Sequence, residues 1–249
     1  MQEHTTETKT LIDRMFKAGA HFGFSKSRRH PSVTQYLFGS KQGFDIFDLE
    51  KTSALLSDAS TYLNAMGKEG KRILLVGTKE EVVGLTRESA AKHAVSFVAN
   101  RWVGGTLTNF GEIKKRIEYL LSLRAQKESG EFERKFTKKE RLMLEREMVR
   151  LETNFGGILS MNQLPQVLVV IDPRHEAIAV EEANQLGIPV VAIMSSDCNT
   201  RQVMKPVVVN DAQRASISLA LGELLTAYEA GLASFVPKQP VVAKAPRVA

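Results

Sequence analysis

Two short runs made only of aliphatic side chains, Ile73 to Val76 and Val167 to Ile171, constrain the fold more than any other feature of the chain. A strand sends successive side chains to opposite faces, so a run that is apolar at every position must be covered on both. Such strands belong inside a sheet with helices above and below it. The surrounding chain supplies those helices. Residues 50–66 place Leu55, Leu56, Ala59, Leu63 and Met66 at helical spacing, and 80–93, 175–186 and 212–228 read as further helices, the last with Ile217, Leu221, Leu224 and Leu225 on one stripe. Between them lie strands at 95–98, 189–193 and 207–209. Alternation of this kind predicts an α/β fold with a mainly parallel sheet and helices on both faces. Ahead of it, residues 9–19 predict a short helix, and Phe44 to Leu49 alternates apolar and polar side chains as a half-buried strand does.

Residues 111–152 break the rhythm. Of these 42 residues, 12 are Lys or Arg and 9 are Glu, yet Ile113, Ile117, Leu120, Leu121, Leu144, Met148 and Leu151 keep a thin apolar stripe. Spacings of three and four amid such charge predict two antiparallel helices joined along a coiled-coil seam. Asn109 with Glu112, and Thr137 with Glu140, have the residues for capping the two helices, and Ser129-Gly130 supplies the break. The chain therefore divides into an α/β domain formed by 1–110 and 153–230, a hairpin insertion at 111–152, and a Pro-, Ala- and Lys-containing tail at 231–249 expected to be disordered. Trp102, Gly104, Gly105 and Asn109 precede the hairpin and Gly156 and Gly157 follow it, a set expected to anchor its root.

The formal net charge of +6 favours a polyanionic partner. Lys26, Arg28, Arg29 and Lys41 interleave with Phe22, Phe24, His30, Tyr36 and Phe38; the rings are read as mostly core and the cations as facing RNA. Lys79, Arg101, Lys114 and Lys115 extend the basic set. A single cysteine, Cys198, excludes an internal disulfide and suits a reducing cytoplasm. The first residues lack a basic-then-apolar signal, and no apolar run reaches membrane-spanning length.

Signs of catalysis are weak. Gly77-Thr78-Lys79 after the 73–76 strand lies where α/β enzymes hold phosphates, but it has one glycine, and Glu80-Glu81 would repel an anion. Asp48, Asp172 and Asp211 near strand ends are read as helix caps rather than acids or bases. His21, His30, His93 and His175 show no metal-ligand spacing, and no nucleophile elbow occurs. Neither a cofactor nor a metal is expected. A nucleotide-dependent enzyme on a Rossmann-like fold and a free regulatory RNA-binding protein are the competing readings.

Several segments also share a family pattern. Ala18-Gly19-Ala20-His21-Phe22-Gly23, Ile46 to Thr52, Leu74 to Lys79, Arg101 to Phe110, Leu164-Pro165 before the 167–171 strand, and Glu182 to Val190 resemble, in order, the bacterial small-subunit ribosomal protein S-two family. The resemblance spans about residues 10–230. It implies a flavodoxin-like, Rossmann-related domain with an inserted helical hairpin, and it brings no catalytic residues; no small-molecule substrate or membrane partner is expected of the chain. It further implies binding to small-subunit rRNA and neighbouring ribosomal proteins, among them the large mobile protein S-one. Two places depart from the pattern: Phe24 stands where the family usually has His, and 195–202 replaces an acidic, Gly-rich loop. Contacts of that loop are therefore not carried over to this chain.

Overall fold

The computed structural model describes residues 2–235, with side chains described from Thr10 onward. The aliphatic runs form the middle of a five-stranded sheet. Its strands are β4 (Ile73–Val76), β5 (Ser96–Val98), β6 (Val167–Ile171), β7 (Val190–Met194) and β8 (Lys205–Val208), after β1 to β3 of a separate sheet described below. Their spatial order is β5-β4-β6-β7-β8, and every pairing is parallel. This is the flavodoxin-like order, with β4 at the point where the winding reverses.

Alternation within each strand sorts the core into two layers. Leu74, Val76, Leu168, Val170, Ala192 and Met194 belong to one cluster, while Ile73, Leu75, Val169, Ile171, Val191 and Ile193 belong to the other. The second face is covered by α1 (Gln2–Lys17), α2 (Leu49–Lys68), α3 (Val83–Lys92) and α8 (Arg214–Ala233), through Met15, Leu63, Leu85 and Leu221 among others. The first is covered by α7 (Ala177–Gln185) and by the root of the charged insertion. α2 and α8 extend further at their C-terminal ends than the apolar pattern indicates, because polar end turns carry no periodic signal: α8 runs to Ala233, inside the segment read as tail, whereas α3 and α7 are shorter than the stretches read as helical. The rest of that tail, 236–249, lies outside the described residues.

The insertion consists of α4 (Phe110–Glu128), a short α5 (Glu131–Lys135) and α6 (Lys138–Phe155). Gly130, at φ +70°, makes the break after α4. The Thr137–Glu140 capping box is formed, but the Asn109 side chain makes no cap hydrogen bond. The seam passes through Ile113, Ile117, Leu120 and Leu123; Leu121, expected on the stripe, is exposed. Its lower part is no free-standing arm. Ile113, Ile117, Leu120, Leu151 and Phe155 sit in the same cluster as the sheet face and Trp102, so the root itself shields β4 and β6 from water. At the far end Phe132 is buried, with its ring 5.7 Å from Phe136 in an edge-on arrangement.

The basic, turn-rich segment holds an unexpected three-stranded antiparallel sheet, ordered β1-β3-β2. Its strands are β1 (Phe22–Ser25), β2 (Leu37–Lys41) and β3 (Phe44–Phe47). Gln42 and Gly43, at φ +53° and +83°, form the two-residue turn between β2 and β3. Left-handed backbone at both central positions is the geometry that matches strand twist. Gln lacks the Asn or Asp signature of such turns, which hid the hairpin in the sequence. The faces of β3 are also opposite to a simple polar-out pattern: Asp45 and Phe47 point inward, and Phe44 is exposed.

Candidate nucleic-acid interface

The eight basic positions divide by what already neutralises them. Among the described residues, Lys26, Lys41, Arg101 and Lys114 are exposed and make no ion pair. Lys26 donates its amide to Gly43 O at 2.9 Å, which puts it at the same end of the small sheet as Lys41. Lys115 is exposed and bridges to Glu112 at 2.6 Å. Arg28 reaches Asp197 at 3.1 Å and lies over the Phe24 ring, 4.3 Å from its centroid. Phe24 thus supplies a ring that carries a cation.

Two of the eight are committed inside the protein. Arg29 grips Asp45 with two hydrogen bonds, Nε to Oδ2 at 2.8 Å and a second to Oδ1, and Asp45 is fully buried. Lys79 lies 3.2 Å from Asp172. Burial lowers the Lys79 ammonium, but Asp211 and Asp172 outweigh it and hold the group charged above its ordinary value.

The rings of this region are not mostly core. Phe38 is 82% exposed, and Phe22 and Phe44 about half exposed. A three-stranded sheet has too little area to bury both faces, so side chains on its outer face stay in water. Exposed rings beside unpaired cations can stack on unpaired bases while the cations meet phosphates.

The hairpin root is organised by a residue that composition does not single out. Glu182 on α7 is buried, and its carboxylate accepts five hydrogen bonds: from Trp102 Nε1 and the Gly105 amide through Oε1, and from the Leu107 amide, Thr108 amide and Thr108 hydroxyl through Oε2, all at 2.8–3.1 Å. Burial pushes its carboxyl up, yet these donors outweigh burial and hold it below the usual carboxylate range. A sequence signal did exist, since Glu182 shares a helix face with buried Ala179 and Ala183.

Of the glycines expected at the root, two are required by geometry. Gly105 has φ +87°, and a Cβ on Gly157 would meet Phe97 O at 2.2 Å. Gly104 faces open space, and Gly156 meets only the flexible end of Glu152. Asn109 is exposed, with its Cβ beside Gly105.

The crevice at the winding reversal is acidic. The Thr78 amide and hydroxyl both donate to Glu176 Oε1, at 2.7 and 2.6 Å, so the donors that could cradle a phosphate are taken. Burial pushes the Glu176 carboxyl up despite those bonds. Asp48 does cap α2, accepting from the Glu50 and Lys51 amides. Asp211 caps nothing, contrary to expectation. It is fully buried, with no hydrogen-bond partner on another residue for either oxygen. Burial and the neighbouring Asp172 push its carboxyl up to about 8. Burial and the surrounding Asp172, Asp211 and Asp197 likewise push the Cys198 thiol up, far from the reactive thiolate of a catalytic cysteine.

Ordered motifs, parallel sheet and inserted hairpin together resemble one family, and the family model for ribosomal protein S2 matches residues 15–231. The chain belongs to the ribosomal protein S2 family. A Dehalococcoides mccartyi relative named small ribosomal subunit protein uS2 is 40% identical over 215 residues, 86% of this chain and 87% of its own. A Dictyoglomus thermophilum relative of the same name is 39% identical over 217 residues, 87% of this chain and 88% of its own. In Cyanophora paradoxa, small ribosomal subunit protein uS2c is 36% identical over 216 residues, covering 87% and 92%. The residues matched by the S2 family model run from before the first sheet strand to near the end of α8. No helix among the described residues is long and apolar enough to cross a membrane.

Proposed function

We propose that this chain is a structural constituent of the small ribosomal subunit, holding rRNA and neighbouring ribosomal proteins in place rather than catalysing a reaction. The observation that carries the reading is the family match over residues 15–231. The loop at the winding reversal agrees with it, because the Thr78 amide and hydroxyl that could cradle a nucleotide's phosphate are already held by Glu176. Sedimentation of a lysate through a sucrose gradient tests it: the chain is expected in the small-subunit peak. Recovery only as free protein at the top of the gradient would overturn it in favour of a free RNA-binding protein.

Within this role, Lys26, Lys41, Arg101 and Lys114 are assigned as the leading phosphate contacts, since no internal carboxylate must be given up first. Arg28 and Lys115 follow them, and Phe38 and Phe44 offer stacking surfaces beside Lys41. Arg29 and Lys79 act on RNA indirectly, by holding Asp45 and Asp172. Trp102, Gly105 and Gly157 fix the hairpin root, with Gly104, Asn109 and Gly156 filling the turns around them. Along α6, Leu142, Met143 and Val149 are exposed, a surface that suits a protein neighbour better than a phosphate backbone. The mobile protein S-one is among the neighbours this reading includes.

Each phosphate contact releases counterions, so removing one lowers the salt slope of binding by about one unit. Lys26→Ala/Lys41→Ala is accordingly expected to weaken binding to small-subunit rRNA and flatten the salt dependence by about two units. An unchanged slope would move the RNA face away from the small sheet.

A further inference from the structure

We propose that Arg28 and Arg174 form a fork that clamps one phosphate of an RNA backbone, built on the loop after β7. Arg174 carries no motif signal, and the 195–202 loop departs from the family pattern, so neither has a role above. Arg28 lies in the turn after β1, Arg174 in the loop after β6, and Asp197 in the loop after β7. The two arginines meet on one atom. Arg28 Nη2 and Arg174 Nη1 both donate to Asp197 Oδ2, at 3.1 and 2.8 Å. Those nitrogens are therefore no farther apart than the two distances together, a gap that a single phosphate group bridges with two of its oxygens.

The difference in exposure between the three side chains carries the inference. That of Asp197 is 5% exposed, whereas those of Arg28 and Arg174 are 52% and 57% exposed. The carboxylate is thus a pedestal beneath two guanidinium groups that face water. Each spends one N–H donor on Asp197, and neither makes another ion pair among the described residues, so the remaining donors are open to a ligand. Arg28 need not leave Asp197 to bind. One carboxylate balances one guanidinium, and the pair keeps an excess positive charge. The crevice behind does not remove that excess: Lys79 pairs with Asp172, and Asp211, its carboxyl pushed up to about 8, is largely uncharged at neutral pH.

The fork is also held in place, as a solitary surface arginine is not. The Phe24 ring lies against Arg28, 4.3 Å from centroid to guanidinium carbon. The Phe24 amide donates to Ser196 Oγ at 3.0 Å, the His30 amide to Ser196 O at 2.8 Å and the Thr200 amide to Ser32 Oγ at 3.0 Å. These bonds join the segment bearing Arg28 to the loop bearing Asp197, and freedom lost on folding is not lost again on binding. The same two segments continue into a groove of about 480 Å³ lined by Pro31, Ser32, Thr34, Gln35, Thr200 and Arg201. No carboxylate lines it, and its hydroxyl, amide and guanidinium groups match a sugar–phosphate strand better than the apolar core of a protein interface. The choice of RNA as ligand rests on the ribosomal reading above; the geometry of the fork does not.

Filter binding of the full-length chain to small-subunit rRNA, across a range of potassium chloride concentrations, tests the fork. Arg28→Ala and Arg174→Ala are each expected to weaken binding at low salt by about tenfold or more, as loss of a charge-assisted hydrogen bond does. Because both arginines hold one phosphate, Arg28→Ala/Arg174→Ala should lower the salt slope by about one unit in total, where two separate contacts would lose about two. Arg174→Lys keeps the charge but not the planar donor set, and should restore the slope without the full affinity. Asp197→Asn removes a negative charge, which by charge alone would tighten binding to RNA. Loss of the pedestal is expected to weaken it instead, a sign that a change in net charge does not produce. Thermal denaturation checks that each variant folds. Wild-type affinity in both arginine variants, a loss of two units in the double variant, or tighter binding by Asp197→Asn would each overturn the fork alone. No binding of rRNA by the wild-type chain would overturn the ribosomal reading with it. Unchanged rRNA binding, with the double variant absent from the small-subunit peak, would assign the arginines to a protein neighbour and overturn the RNA ligand.

Discussion

Replacing Glu182 by alanine is expected to lower the melting temperature by on the order of 10 °C. The change leaves the Trp102 indole and the Gly105, Leu107 and Thr108 amides, with the Thr108 hydroxyl, without their acceptor. A buried donor left unpaired, as the Trp102 indole and the Leu107 amide would be, costs about 1–3 kcal/mol, with bonds to a charged acceptor towards the top of that range, while the Thr108 donors are open to water and cost less. The contributions are not additive, because the 102–108 segment will relax as a unit; a total of about 3–5 kcal/mol is expected. Glu182→Gln keeps the shape but turns an NH2 group toward donors, so it should recover only part of the loss. The pH dependence follows from the depressed carboxyl: its stabilisation is present above the ordinary glutamate range and is lost as the pH falls through the lower folded value. Thermal denaturation of both variants from neutral to acid pH checks this. A loss below about 1 kcal/mol in Glu182→Ala would mean that the hairpin root is held by apolar packing alone.

The second large effect concerns Arg29, the basic residue most easily mistaken for an RNA contact. Arg29→Met leaves the fully buried Asp45 carboxylate without a counter-charge. Breaking a buried pair on one side typically costs about 3–5 kcal/mol, whereas removing both partners is often nearly neutral. Arg29→Met/Asp45→Asn is therefore expected to be distinctly more stable than Arg29→Met alone, and a double-mutant cycle of thermal stabilities measures the coupling. If Arg29→Met left the melting temperature unchanged while weakening rRNA binding, Arg29 would be a direct RNA contact and the ion pair incidental.

These two residues also mark where local patterning stops being informative. Phe44, Asp45 and Ile46 alternate apolar and polar, but alternation fixes only which residues share a face, not which face turns inward. The arginine on the neighbouring segment decides that, by making it possible to bury Asp45 and leaving Phe44 in water. Glu182 lies on the apolar stripe of a short helix, where charge argues for exposure. Its burial makes sense only once the 102–108 loop, remote in sequence, brings donors to meet it. Exposure of Phe38 has the same origin, since a small sheet leaves one face without a partner.

What the sequence determined by itself was the layered architecture and the family. Strands such as 73–76 and 167–171 need apolar cover on both faces, and that demand is local and strong enough to specify a parallel sheet between helices. The charged insertion and its Thr137–Glu140 cap were equally legible, because helix periodicity and capping act over a few residues. Only the tertiary structure decided which charges are free and which are occupied. Ion pairs and buried acceptors join residues far apart along the chain, so their partners are set by the crossing of strands and loops. For the same reason Arg28, Arg174 and Asp197 meet only after the carboxyl ends of β6 and β7 have been placed side by side and the turn after β1 has been laid against them.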